Sequence, residues 1–228
     1  MARPPLLPCL VFCLVALAPI DSAAQPALPA VVTPDERWER AFTVFESIDR
    51  AAPPPQHGVL FVGSSTIQRW DVAAAFPGVP AINRGVSSSE LGDAVRYVDR
   101  LVLPYNPRVV VVYAGDNDID NGKTSEEVAV QFERFTRRVW ARLPETRFVF
   151  IGLKPSILRW SEVHRMRLAN ALIREYCGFD DRLAFVDVDG PMLGWDEKPR
   201  KELFVDDGLH LSRQGYELWN ILLRPFLQ

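Results

Sequence analysis

The amino-acid sequence predicts a doubly wound α/β sandwich built on five parallel strands. Two observations carry this reading. Five short, unbroken apolar runs recur along the chain, and helix-period stripes fill the gaps between them. Strands that are apolar on both faces are covered on both faces, as in a parallel sheet whose crossover helices lie above and below it.

The elements follow in order. Thr33-Pro34-Asp35-Glu36 is a helix start, with Thr33 as N-cap, Pro34 at the first helical position and Glu36 closing a capping box. Trp38, Phe42, Phe45 and Ile48 then recur at near-helical spacing until "APPPQHG" ends the helix. "GVLFVG" is the first strand, and "VPAIN" at 79–83 is a weaker second. "RVVVVYAG" at 108–115 is the strongest, and "RFVFIGL" (147–153) and "RLAFVDV" (182–188) complete the set. Between them, Ser87 to Glu90 reads as a capping box opening a helix that runs to about Arg100. Thr124 to Glu127 is another, with Val128, Phe132, Phe135 and Val139 on one face. Met166, Ala169, Leu172, Ile173 and Tyr176 form a third stripe. Tyr216, Trp219, Leu222, Leu223 and Phe226 form the last, capped by Ser212. These stripes read as core packing.

The N-terminus stands apart. Residues 1–24 carry one early positive charge at Arg3, an apolar run from Leu6 to Ile20, and small residues with Ser22 and Ala24 placed as at a cleavage site. That is the make-up of a secretory signal peptide cut after Ala24. The run is short for a membrane span and contains Pro8 and Pro19, so an uncleaved anchor is the weaker alternative. Residues 25–33 read as an extended leader, and 34–228 as a single domain. The chain left after cleavage, 228 − 24 = 204 residues, is long enough to bury a full core. Cys177 is its lone thiol, which leaves no internal disulfide. A net charge of −3 gives no footprint for nucleic acid. The expected location is therefore the periplasm or the outside of the cell, without stable membrane insertion.

In open α/β sheets the ligand crevice lies outside the carboxyl ends of the strands. Gly63-Ser64-Ser65, Asn83-Arg84-Gly85, Gly115-Asp116-Asn117-Asp118, Lys154, and Asp187 with Asp189 fall there. His57 lies at the opposite end, and His164 near a helix start. His210 sits in "FVDDGLHLS", three residues after Asp207, a spacing at which a carboxylate can hold one ring nitrogen and leave the other free as a base. Taken alone, "DGLH" fits a loop histidine near two surface aspartates slightly better. Ser65, at a strand-to-helix corner with a helix N-terminus behind it, supplies the missing hydroxyl. A serine needs such a base to become nucleophilic, and the oxyanion it creates needs donors. Gly85 offers an unobstructed N–H, Asn117 a side-chain amide and Ser65 its own N–H.

Four separated blocks, "GSST", "NRGVSSSEL", "AGDNDI" and "DDGLH", resemble in order those of the SGNH hydrolases, or GDSL esterases and lipases. The resemblance spans nearly the whole chain after residue 24. It implies a flavodoxin-like three-layer sandwich, hydrolysis of esters or thioesters without metal or organic cofactor, and Ser65, Gly85, Asn117 and His210 as the namesake residues, with Asp207 as the acid. The family's first block usually reads Gly-Asp-Ser-Leu, and here Ser64 and Thr66 replace its Asp and Leu. Block alignment favours Ser65 over Ser64, and the Asp-x-x-His spacing selects Asp207 over Asp206. Ser87, Ser88 and Ser89 read as a helix cap.

"DNDIDNGKTSEE" imitates a calcium loop. However, Asn121 replaces its glycine, Lys123 takes a usually apolar position, and a strand precedes it where a helix belongs. No cluster has metal-ligand spacing. The expectation is an exported serine esterase acting on a small-molecule or glycan ester. Short acyl chains are favoured, with acetyl groups on carbohydrate a candidate, and Arg84, Asp116, Lys154 and Trp160 lie on the loops that would wall the pocket. The alternatives are a lysophospholipase or thioesterase of the same family, and a non-catalytic exported binder of glycan or cell wall. Oligomeric state is not legible.

Overall fold

The computed structural model describes Met1 and residues 33–228, so the expected signal segment and leader, apart from Met1 and Thr33, lie outside the described residues. The strands are β1 (Val59–Gly63), β2 (Ala81–Gly85), β3 (Val109–Tyr113), β4 (Arg147–Ile151) and β5 (Leu183–Val186). The helices are α1 (Pro34–Ala51), α2 (Ser65–Gln68), α3 (Val72–Ala75), α4 (Leu91–Arg96), α5 (Val98–Leu101), α6 (Asp116–Asp120), α7 (Ser125–Trp140), α8 (Val163–Cys177) and α9 (Arg213–Leu223). All strand pairs are parallel, in the order β2-β1-β3-β4-β5, as the apolar runs predict. The order reverses direction at β1, so the crevice between β1 and β3 is the topological switch point.

The unbroken runs divide by alternation. Leu60, Val62, Val110, Val112, Phe148 and Phe150 face one core with Trp38 and Phe42 of α1, Phe132 and Phe135 of α7, and Met166 and Ile173 of α8. Val59, Phe61, Val109, Val111, Val149 and Ile151 face the other with Ile67, Trp70, Phe76, Trp219 and Leu223. Period-two side chains on a doubly covered sheet produce this three-layer arrangement. At about 25 cal/mol per Å² of apolar surface removed from water, these two cores are the main source of stability. No helix among the described residues is long and apolar enough to cross a membrane.

Several expectations change in detail. The Thr33 and Thr124 capping boxes form, and Ser212 caps α9. The Ser87–Glu90 box does not. Ser88 takes a left-handed φ of 58°, which breaks the approach to the helix, and α4 begins at Leu91 with the Glu90 N–H donating to the Asp93 carboxylate at 3.0 Å. The helix expected to run to Arg100 is interrupted at Tyr97, giving α4 and α5. β2 lies two residues later than 79–83, because Pro80 has no N–H to give the ladder and serves instead as acceptor for the Val59 N–H at 2.9 Å. Ile48 of the first stripe is exposed.

Candidate active site

β1 ends at Gly63, whose φ of +153° only glycine adopts readily; a Cβ there would sit 1.9 Å from the Tyr113 carbonyl oxygen. This close approach lets the Ser64 N–H reach that carbonyl at 3.1 Å and turns the chain straight into α2. Ser65 is the first residue of that helix and is half-buried at the carboxyl edge of the sheet. α2 is a single turn of four residues, so the helix dipole expected behind Ser65 is small. What the turn does provide is local: a first-turn N–H has no intrahelical acceptor.

His210 reaches Ser65 from the far end of the chain. The Asp207 Oδ1 accepts the N–H groups of Leu209 and His210, both at 2.8 Å, which curls the turn. Its Oδ2 lies 2.6 Å from His210 Nδ1, and His210 Nε2 lies 2.8 Å from Ser65 Oγ. A carboxylate only accepts, so Nδ1 carries the proton and Nε2 is left to accept from the serine hydroxyl. Burial pushes the Asp207 carboxyl up, but the hydrogen bonds from the His210 ring and the two backbone N–H groups outweigh it and hold it at about 2. Asp207, not Asp206, makes this contact. His57, with a left-handed φ of 57° at the amino end of β1, and the exposed His164 stand elsewhere. The loop after β4 packs on the same turn, with the Leu158 N–H donating to the Gly208 carbonyl at 3.0 Å.

The expected donors are placed unequally. Gly85 pairs in register with Gly63, and a Cβ on it would lie 2.2 Å from the Gln68 nitrogen, so glycine is what allows α2 to lie on β2. Its N–H is not unobstructed, however: it donates to Asn83 Oδ1 at 2.8 Å. The Asn83 amide in turn donates to the carbonyls of Ile67 (2.6 Å) and Trp70 (2.9 Å), and so ties β2 to α2. Asn117, in the first turn of α6, donates one Nδ2 proton to the Ser89 carbonyl at 3.0 Å and retains the other. Thus the serine-rich loop is not a helix cap. Ser89 holds Asn117, and Ser87 hydrogen-bonds Gln68 of α2.

Beneath the site lies a buried polar cluster that sequence reading assigned to the pocket walls. Lys154, almost wholly buried, donates to Tyr113 OH (2.8 Å), Asp116 Oδ2 (3.2 Å) and Thr66 Oγ1 (3.3 Å). Burial pushes the Asp116 carboxyl up, but Lys154 and Arg159 outweigh it and leave it below its ordinary value. Asp118 is buried against Lys123 at 2.9 Å, so both leading acids of the calcium-like stretch are committed to cations of this chain. Arg84 turns away from the site to Asp49 and Tyr105, its guanidinium lying over the Phe45 and Tyr105 rings. Trp160 lines a groove of about 460 Å³ with His164, Arg167 and Lys198; neither Ser65, Asn117 nor His210 borders it.

Residues 61–218 match the family model described as the GDSL-like lipase/acylhydrolase family. The chain belongs to that family. No curated protein sequence matches it. Solved structures share the fold at low identity. A Streptococcus pneumoniae protein named for platelet activating factor superposes with a TM-score of 0.76 at 20% identity, covering 85% of this chain and 94% of that one. A GDSL-like lipase from Bacteroides thetaiotaomicron gives 0.69 at 18%, covering 82% and 96%. A family 3 carbohydrate esterase from Clostridium thermocellum gives 0.58 at 17%, covering 74% and 96%.

Within this GDSL-like chain, the Thr66 that replaces the usual Leu is an acceptor for Lys154, which an apolar side chain cannot be. Sequence reasoning missed Arg159, whose guanidinium reaches Asn117 from the loop after β4. Its only sequence signal is an arginine beside Trp160 in a loop already placed at a strand's carboxyl end.

Proposed function

We propose that this GDSL-like chain is a serine esterase working through an acyl-enzyme. The observation that carries the reading is the relay of Asp207, His210 and Ser65, with spacings of 2.6 and 2.8 Å. Ser65 Oγ attacks the ester carbonyl carbon as its proton passes to His210 Nε2, and Asp207 stabilises the imidazolium. The tetrahedral oxyanion takes hydrogen bonds from the Ser65 N–H and the second Asn117 Nδ2 proton. Gly85 makes room for α2, and its N–H joins only when Asn83 releases it. The intermediate collapses, the carbon–oxygen bond to the alcohol breaks, and His210 protonates the departing alkoxide. Water then attacks the acyl group with His210 as base, the acid leaves and Ser65 regains its proton. A protein that only bound esters would not need a base held by a carboxylate against the serine.

For substrate we propose short acyl esters, with acetylated carbohydrate as the first candidate. The fold shared with a carbohydrate esterase is compatible with that choice. A second reading, a lysophospholipase or thioesterase, draws support from Ile157, Leu158 and Val205, which stand exposed beside the Asp207–His210 turn as a surface for a longer chain. We further propose export with cleavage after Ala24, from the pattern of residues 1–24.

A panel of p-nitrophenyl esters from two to sixteen carbons, run beside acetylated sugars, tests the substrate. A fall in kcat/KM with chain length supports the first reading and a rise supports the second. Ser65→Ala is expected to abolish turnover of every active ester, and turnover that survives it would remove Ser65 from its role.

A further inference from the structure

Arg159 lies in the loop after β4, is nine-tenths buried, and belongs to no step of the chemistry above. One terminal nitrogen, Nη2, donates to Asn117 Oδ1 at 3.0 Å and to Asp120 Oδ2 at 2.9 Å. The other, Nη1, stands 3.2 Å from Asp116 Oδ2 without hydrogen-bond alignment, and both it and Nε are buried without a hydrogen-bond partner. Orphaned guanidinium nitrogens are costly, so the position is occupied for what the remaining nitrogen does.

We infer that Arg159 is the positioning residue of the oxyanion hole, fixing which way the Asn117 amide points. This rests on the proposed Ser65 chemistry. A carboxamide has two nearly isosteric orientations, and only one presents N–H protons to an oxyanion. Guanidinium has donors and no acceptor, so it tolerates only Oδ1 on its side. A flipped amide would set donor against donor at 3.0 Å. On the opposite side the Ser89 carbonyl has acceptors and no donor, so it tolerates only Nδ2, at 3.0 Å. The two neighbours impose the same orientation and leave the second Nδ2 proton for the substrate.

The cation does more than orient. Positive charge on Oδ1 polarises the amide and strengthens its N–H as a donor, as hydrogen-bonded chains do in a low-dielectric setting. Lysine cannot reproduce this. One guanidinium nitrogen holds Asn117 and Asp120 together, while another stands 3.2 Å from Asp116 Oδ2, the same oxygen that the Lys154 ammonium meets. A single ammonium on a shorter reach cannot serve all three. Because both unpartnered nitrogens are shut off from solvent, Arg159 is not a binding group for a substrate anion.

The test is a double-mutant cycle read in two ways on the full chain. One readout is p-nitrophenyl acetate turnover. The other is the labelling rate with a fluorophosphonate, in which the Ser65 Oγ–P bond forms as the P–F bond breaks, the serine proton passes to His210 and fluoride leaves. The phosphoryl oxygen then occupies the oxyanion position. Arg159→Met is expected to lower kcat and the labelling rate about 10- to 100-fold with little change in KM. In an Asn117→Ala background the same substitution is expected to cost less than about 2-fold, because the group it positions is gone. Full multiplication of the two losses, or an unchanged kcat in Arg159→Met, overturns the inference. Should Arg159→Met not fold, Arg159→Lys in the same two backgrounds reads the same coupling. Labelling that persists in Ser65→Ala, or a wild type that does not label, removes the Ser65 reading and this one with it. Labelling that depends on Ser65 with additive losses removes this one alone.

Discussion

At the scale of single residues, the site is an arrangement of acceptors and donors that each admit one partner. Asp207 illustrates it. Its carboxylate is held at about 2 by the His210 ring and two backbone N–H groups despite the cost of partial burial. A carboxyl depressed in the folded state contributes stability above its ordinary range near 4, and that contribution fades as pH falls from about 4 towards 2. Since the side chain is 42% exposed, water screens the pairing, and it is worth less than about 1 kcal/mol. Asp207→Asn should therefore leave the melting temperature nearly unchanged. It should lower kcat by up to about 10⁴-fold, because an amide can donate to His210 Nδ1 and drive the proton onto the nitrogen that must accept from Ser65. Thermal melts beside p-nitrophenyl acetate kinetics check both halves; a large drop in melting temperature with kcat retained would contradict the argument.

At the scale of elements, the site depends on backbone contacts that leave no space for side chains. Gly85 carries α2 directly, with the Gln68 nitrogen 2.2 Å from where a Cβ would stand. Gly85→Ala is expected to displace α2 and Ser65 with it, lowering both the melting temperature and kcat, whereas Gly122→Ala, where nothing lies within 4 Å, should leave kcat unchanged even though its φ of +93° costs some stability. α8 gives a second prediction. Burial against the core pushes the Cys177 thiol up to about 12, so alkylation of the native protein at pH 8, mapped by peptide mass, should spare Cys177 until denaturant is added.

The elements also show what was legible. Thr33 with Glu36 and Thr124 with Glu127 announced their helices because a capping box is a local pattern. Ser87 with Glu90 has the same spacing, yet a left-handed Ser88 defeats it, and that φ follows from how the loop meets α2 and Asn117. β2 begins two residues later than expected because Pro80 can accept from β1 but has no N–H to give. At the other end the pairing runs on through Arg84 and Gly85, polar and small residues that carry no apolar strand signal.

At the scale of the whole molecule, the five-strand order puts the site at the switch point between β1 and β3, and a buried charge cluster supports it from below. The residue types of the site were legible as blocks at strand ends, since a parallel sheet brings those ends to one rim. Side-chain direction was not. Lys154 and Arg84 both follow apolar runs, but one turns inward to Asp116 and Thr66 and the other away to Asp49. Lys154→Met takes one cation from the buried Asp116 but leaves it the Tyr113 hydroxyl at 3.0 Å and the Arg159 guanidinium at 3.2 Å. It should therefore cost about 1–3 kcal/mol in urea unfolding, short of what a fully stranded charge costs. Adding Asp116→Asn to it should cost less than the two single losses together, because the pair is already broken. Strict additivity would mean that the two groups are not coupled.

The central claim is that an alcohol and an imidazole separated by 145 positions act as one reactive unit. Peptide mapping of the fluorophosphonate adduct tests it most directly. A single adduct on Ser65, lost in His210→Ala, is the predicted result. An adduct on Ser64, or labelling of Ser65 that persists at the wild-type rate without His210, would contradict it.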